Sequence, residues 1–135
     1  MAATDIRTIA VEYNRALGEG DLDRVAELLH PELDFDGTAR PSHGRDAYVA
    51  ALPPLVRVLT RNDLKAVLVD GDQAFLLYDF VTDTPAGAVL SGELLRVEDG
   101  LIRSITLLFD WRRWPEVIAE VQRRAAATTG ATAAA

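Results

Sequence analysis

The sequence predicts an α+β fold: a cone-shaped, curved antiparallel sheet with helices packed on its concave face around an apolar pocket. Three observations lead there. Before Asn62, apolar residues recur at three- and four-residue steps, the spacing of helices. From Leu64 onward four long runs carry the character of strands. The connections between those runs are short, so consecutive strands should pair as antiparallel neighbours.

The first helix is expected from about Thr4 to Leu17, where Ile6, Ile9, Ala10, Tyr13 and Leu17 make one apolar stripe. Gly18 and Gly20 end it, and Asp21 is placed to cap a second helix, Leu22 to Leu29. A short strand, Glu32 to Asp36, follows Pro31 with Leu33 and Phe35 on one side. Gly37 to Gly44 reads as a loop. Arg45-Asp46 then opens a third helix carrying Tyr48, Val49, Leu52, Leu55, Val56 and Leu59, which Pro53-Pro54 must kink or interrupt. The four later strands are Leu64 to Val69, Ala74 to Val81, Ala88 to Val97 and Leu101 to Phe109. Asp70-Gly71-Asp72, Thr82 to Gly87 and Glu98-Asp99-Gly100 separate them. A closing helix starts at Pro115 and ends near Ala125. Residues 1–125 are read as one domain, and the Ala/Thr-rich tail 126–135 as disordered.

Composition excludes several classes. The chain has 135 residues, 49% of them hydrophobic, which is enough for one core without staples. With no cysteine there is no disulfide, thiolate metal site or cysteine nucleophile. Two histidines are too few for a histidine-rich metal site, though carboxylates could still contribute ligands; no metal or cofactor is expected. A net charge of −7 with no basic stripe argues against nucleic acid and anionic membranes. No signal peptide or membrane span is legible, so a cytoplasmic location is expected. Leu76-Leu77, Leu94-Leu95 and Leu107-Leu108 make several strands apolar on both faces. One face can meet helices; the other predicts a homodimer through the open sheet face.

The ordered set of elements resembles the ketosteroid isomerase and SnoaL-like branch of the nuclear transport factor two superfamily, over about Ile6 to Val121. Its markers are Tyr13 with Gly20-Asp21, Phe35-Asp36-Gly37, His43-Gly44-Arg45-Asp46, Val97 to Ile102 and Phe109-Asp110. The resemblance implies a donor tyrosine at Tyr13 and a protonated acid at Glu93. At the family's base position it puts Gly37, with Asp36 one residue earlier and so on the opposite face. The fold hosts isomerases, hydrolases, cyclases, dehydratases and non-enzymes, so it does not by itself name a reaction.

The candidate catalytic residues are Tyr13, Glu93, Asp110 and Asp79. Tyr13 lies among apolar residues, so its phenol needs either a pocket carboxyl or an ordinary core partner. Glu93 shares a strand face with Ser91, Leu95 and Val97. If that face is inward, the carboxyl raises its pKa, pairs or takes part in function; if outward, Glu93 pairs with Arg96 or Arg103. Asp110 either faces the pocket mouth as a base or pins the turn before the last helix. Asp79 looks outward if Leu76, Tyr78 and Phe80 look inward, and a one-residue slip reverses this. His43 is read as ordering its loop. Phe35, Tyr48, Tyr78, Leu95, Leu107 and Phe109 are the expected pocket walls for a hydrophobic small molecule. The functional expectation is a cofactor-free acid/base enzyme of isomerase, cyclase or dehydratase type acting on a hydrophobic carbonyl compound. The alternatives are a non-catalytic binder of an apolar metabolite and a dimeric assembly module.

Overall fold

A computed structural model describes residues 3–37 and 41–134. Helix α1 (Ala3–Glu19) buries Ile6, Ala10, Tyr13 and Leu17 of the predicted stripe, leaves Ile9 half-buried and adds Ala16. Gly20, at φ 73°, turns the chain where a β-carbon would be strained, and Asp21 caps α2 (Leu22–Leu28) by accepting from Arg24 N at 3.2 Å. Leu29, expected as the last residue of α2, instead opens β1 (Leu29–Asp36).

Strand β1 runs parallel to β6 (Leu101–Phe109), a pairing the sequence reading did not contain. Parallel neighbours need a long crossover, and here everything between β1 and β6 serves as one. The β1 register shifts between Leu29 and Asp34, across Pro31, which has no N–H to give a ladder. Of the predicted loop 37–44, residues 38–40 lie outside the described ones. Ser42–His43 form a short strand, β2, antiparallel to β1. The proline pair divides the third helix into α3 (Arg45–Ala50) and α4 (Pro53–Val56), with proline in the first turn of the second.

Strands β3 (Leu59–Asp70), β4 (Gln73–Thr82), β5 (Ala88–Glu98) and β6 pair in sequence as an antiparallel meander. The six strands follow the order β2-β1-β6-β5-β4-β3 in a curved, unclosed sheet. β3 starts five residues earlier than predicted, because long-range pairing such as Asn62 to Phe80 holds a polar stretch that has no alternation. Asp99 (φ 55°) and Gly100 (φ 77°) are both left-handed between the paired Glu98 and Leu101, the geometry an Asp-Gly hairpin turn requires. Strand β4 alternates buried and half-buried without a break, placing Leu76, Tyr78 and Phe80 inside. After a 3-10 turn (Trp111–Arg113), α5 runs from Trp114 to Ala134. It continues past Ala125 through the segment predicted to be disordered. Alanine is the best helix former, and five of residues 126–134 are alanine, which favours continuing the helix. Ala135, the end of that tail, lies outside the described residues. Among the described residues no helix is long and apolar enough to cross a membrane.

Candidate active site

Between the inner face of β4–β6 and helices α3, α4 and α5 lies a cavity of about 310 Å³. Its walls include Phe35, Tyr48, Tyr78, Phe80, Phe109 and Trp114, with Leu52, Leu55 and Leu107 filling between the rings. Among the described lining residues one carboxyl reaches this apolar space, that of Glu93, which is 3% exposed. Ser91, Glu93, Leu95 and Val97 all face inward along β5, so the inward alternative for Glu93 is the observed one.

The two oxygens of Glu93 differ. Oε1 accepts a hydrogen bond from the Tyr78 hydroxyl, while Oε2 is buried without a partner. Removal from water pushes the carboxyl pKa from its ordinary 4.5 up to about 7, although the phenols of Tyr78 and Tyr13 pull it down. A group so placed exchanges its proton near neutral pH. Nearby, the hydroxyls of Tyr13 and Tyr48 share a hydrogen bond of 2.5 Å. Burial, then the nearby Glu93 charge, raises the pKa of all three phenols, so they stay neutral proton donors.

Of the four predicted catalytic residues, the structure brings Tyr13 and Glu93 together and leaves the other two elsewhere. Tyr13 does not line the cavity; it is fully buried, bonds the Tyr48 hydroxyl and lies close enough to Glu93 to lower its pKa. Asp79 sits on the outer sheet face, 3.2 Å from Lys65 Nζ, because the predicted register of β4 holds. Asp110 accepts from Arg112 N at 3.0 Å and pairs with its guanidinium, which holds the carboxyl down at about 2. That is the turn-pinning alternative. Five of the six expected wall residues line the cavity: Phe35, Tyr48, Tyr78, Leu107 and Phe109. Leu95 does not; it lies deeper along the face of Glu93, wholly within the core. His43 bridges Asp34 (2.7 Å) and Glu32 (2.9 Å) on the neighbouring strand, which ties β2 to β1. Among the described residues, no group of three or more His, Asp or Glu is placed to hold a metal ion.

The description "SnoaL-like domain" fits residues 10–105 of the sequence, more than two thirds of the chain. The chain belongs to this family. No curated protein matches it at a significant level. Among solved structures, a protein from Kribbella flavida DSM 17836 is 25% identical, with TM-score 0.76, over 87% of this chain and 96% of its own. A candidate ketosteroid isomerase from the same organism is 19% identical, with TM-score 0.69, covering 80% and 79%. An NTF2-like protein from Cytophaga hutchinsonii is 20% identical, with TM-score 0.70, covering 82% and 95%. The last two likenesses concern the fold.

The resemblance set Gly37 at the isomerase's base position, and that position carries no side chain here. A β-carbon there would lie 2.6 Å from Phe35 Cζ, so the Phe35 ring already occupies the space of a side chain at 37. The same ring packs against Tyr48 at 4.9 Å between centroids. Two roles escaped the sequence reading. Tyr78 and Tyr48 were expected as walls, yet Tyr78 donates to Glu93 and Tyr48 bonds Tyr13. Glu93 stands opposite Leu76 and Ser91 opposite Tyr78, so Tyr78 is Glu93's diagonal neighbour on one face. Alternation told which residues shared a face; only the register says which of them meet.

Proposed function

We propose that this SnoaL-like domain is a small-molecule pocket protein of the cofactor-free acid/base kind, acting on a hydrophobic carbonyl compound by isomerase-, cyclase- or dehydratase-type proton transfer. The observation that carries it is Glu93: buried, lining the cavity, with Oε2 unpartnered and a pKa near 7. Protonated, it donates from the cavity wall to a ligand oxygen; ionised, it accepts a proton back. Tyr78 holds its other oxygen. The aromatic walls supply burial for a flat apolar ligand.

A second reading, a binder without turnover, is favoured by one observation. With Asp79 and Asp110 turned away, Glu93 is the one carboxyl among the described lining residues, and no second carboxylate divides the work of acid and base. A thermal-shift screen of planar phenols and carbonyl compounds on wild type and Glu93→Gln tests both. Stabilisation of the wild type that disappears in the variant, followed by turnover of a bound ketone, supports the enzyme. Stabilisation without turnover leaves the binder, and no stabilisation by any compound removes both.

The outer sheet face supports the expected homodimer. Leu68, Phe75 and Leu94 stand side by side across three strands, and Leu77, Gly92 and Leu108 make the next row, with the Phe75 ring lying over Gly92. Leu68 is 65% and Leu108 67% exposed. A two-fold copy presents the same rows, so the surface is complementary to itself. Sedimentation should give a dimer for the wild type and a folded monomer for the pair Leu68→Asp and Leu108→Lys. A monomeric wild type at high protein concentration ends this proposal.

A further inference from the structure

Among the described residues that line the cavity, charge is one-sided. None of them is lysine, arginine or histidine, and Glu93 is the single carboxyl. Each element packed around Glu93 contributes something uncharged. Tyr13 comes from α1, Tyr48 from α3, Tyr78 from β4, Ser91 from β5, and Leu107 from β6. The three phenols remain neutral through the working pH range, since burial and the carboxyl both raise their pKa. Ionised Glu93 thus accepts from Tyr78 at Oε1, with the Tyr13 phenol acting on it as well, while Oε2 has no hydrogen-bond partner among the described residues. A buried charge of that kind is stabilised only by a partner of opposite sign or by extra donors. The space in front of it is faced with aromatic rings, whose negative faces attract cations.

We infer that the cavity has a second class of ligand besides the carbonyl compound: hydrophobic ammonium compounds, which set an N–H against the Glu93 carboxyl and their apolar part against the aromatic walls. The two classes use the two protonation states of one residue. The protonated acid donates to a carbonyl oxygen, and the carboxylate takes an ammonium as its counter-ion. Anionic compounds meet no cation among the described walls and oppose the carboxylate, so the same site rejects them. This inference rests on the reading of the cavity as an open ligand site with Glu93 at its wall.

Phenethylammonium, 2-phenylethanol and 3-phenylpropanoate are probes of similar size with positive, zero and negative charge. Their binding to the full chain is measured by calorimetry at pH 6 and pH 8.5. An alkylammonium stays protonated up to about pH 10, as lysine does, so Glu93 is the group that titrates in this window. With its pKa near 7, the ionised fraction and hence the apparent ammonium affinity rise about tenfold from pH 6 to 8.5. At pH 8.5 the expected order is ammonium, then alcohol, then carboxylate, and Glu93→Gln removes the advantage of the first over the second. If the variant does not fold, the wild-type order and its pH dependence decide alone. An alcohol that binds as well as the ammonium at pH 8.5, or a carboxylate that binds better, overturns the inference and leaves the cavity reading intact. Failure of all three probes sinks both.

Discussion

Replacing Glu93 by glutamine removes a pH dependence of stability that the wild type carries across neutral pH. In the folded chain the carboxyl keeps its proton up to about pH 7, against an ordinary value of 4.5. Below the lower value both folded and unfolded states are protonated, and Glu93 contributes no pH slope. Between the two values the unfolded state ionises first, so stability falls as pH rises. Above the upper value both are ionised and the loss is complete. The shift corresponds to about 3 kcal/mol. Glu93→Gln keeps the shape and the acceptor for Tyr78 while abolishing the titration, so it should gain about 3 kcal/mol relative to wild type between pH 4.5 and pH 8.5. Denaturant unfolding at a series of pH values measures this. Subtracting variant from wild type cancels the carboxylates held low by arginines, such as Glu12 and Glu120, whose contributions are lost instead in acid. A wild-type-minus-variant difference that is flat with pH means that Glu93 is solvated and the cavity chemistry proposed for it fails.

The second large effect belongs to Tyr78→Phe. The ring still fills its place in the wall, but Glu93 Oε1 loses its donor and the carboxylate is left with no partner at that oxygen. A hydrogen bond to a charged group contributes about 2 kcal/mol, and one to a neutral acid about 1 kcal/mol. The variant should therefore lose more stability at pH 8.5 than at pH 5. Its Glu93 pKa should also rise further above 7, because burial then acts with less opposition. Carboxyl-carbon NMR titration reads the pKa directly. An equal loss at both pH values, or a pKa that falls, shows that Tyr78 does not hold the carboxylate. Tyr13→Phe is the control. Its phenol bonds Tyr48, lies outside the cavity lining and pulls the Glu93 carboxyl down less than Tyr78 does, so ligand affinity should change less than for Glu93→Gln.

Much of the site was legible because strand alternation is strict. Placing Leu76, Tyr78 and Phe80 on one face committed Asp79 to the other, where it pairs with Lys65. The same rule grouped Glu93 with Ser91, Leu95 and Val97 without saying whether the group faced in. Sequence could not resolve that, since β5 also offers Leu90, Leu94 and Arg96 to the opposite side. Asp110 was ambiguous for a different reason. An aspartate before a helix is both a capping residue and a pocket-rim candidate, and only the Arg112 contacts decide between them.

The sequence by itself determined the helical stripe, the turns, the proline interruption and the antiparallel meander, because each depends on neighbours a few residues away or on a short connection. Tertiary structure alone decided the parallel pairing of β1 with β6, the early start of β3 and the meeting of four polar side chains around one cavity. Those depend on strand register and on residues 15 to 35 positions apart coming within hydrogen-bonding distance, as Tyr78 does with Glu93 and Tyr13 with Tyr48. No local pattern carries that information. It arises only when burial of the whole sheet face selects one register, and the carboxyl that results is shifted by the environment that the fold assembles around it.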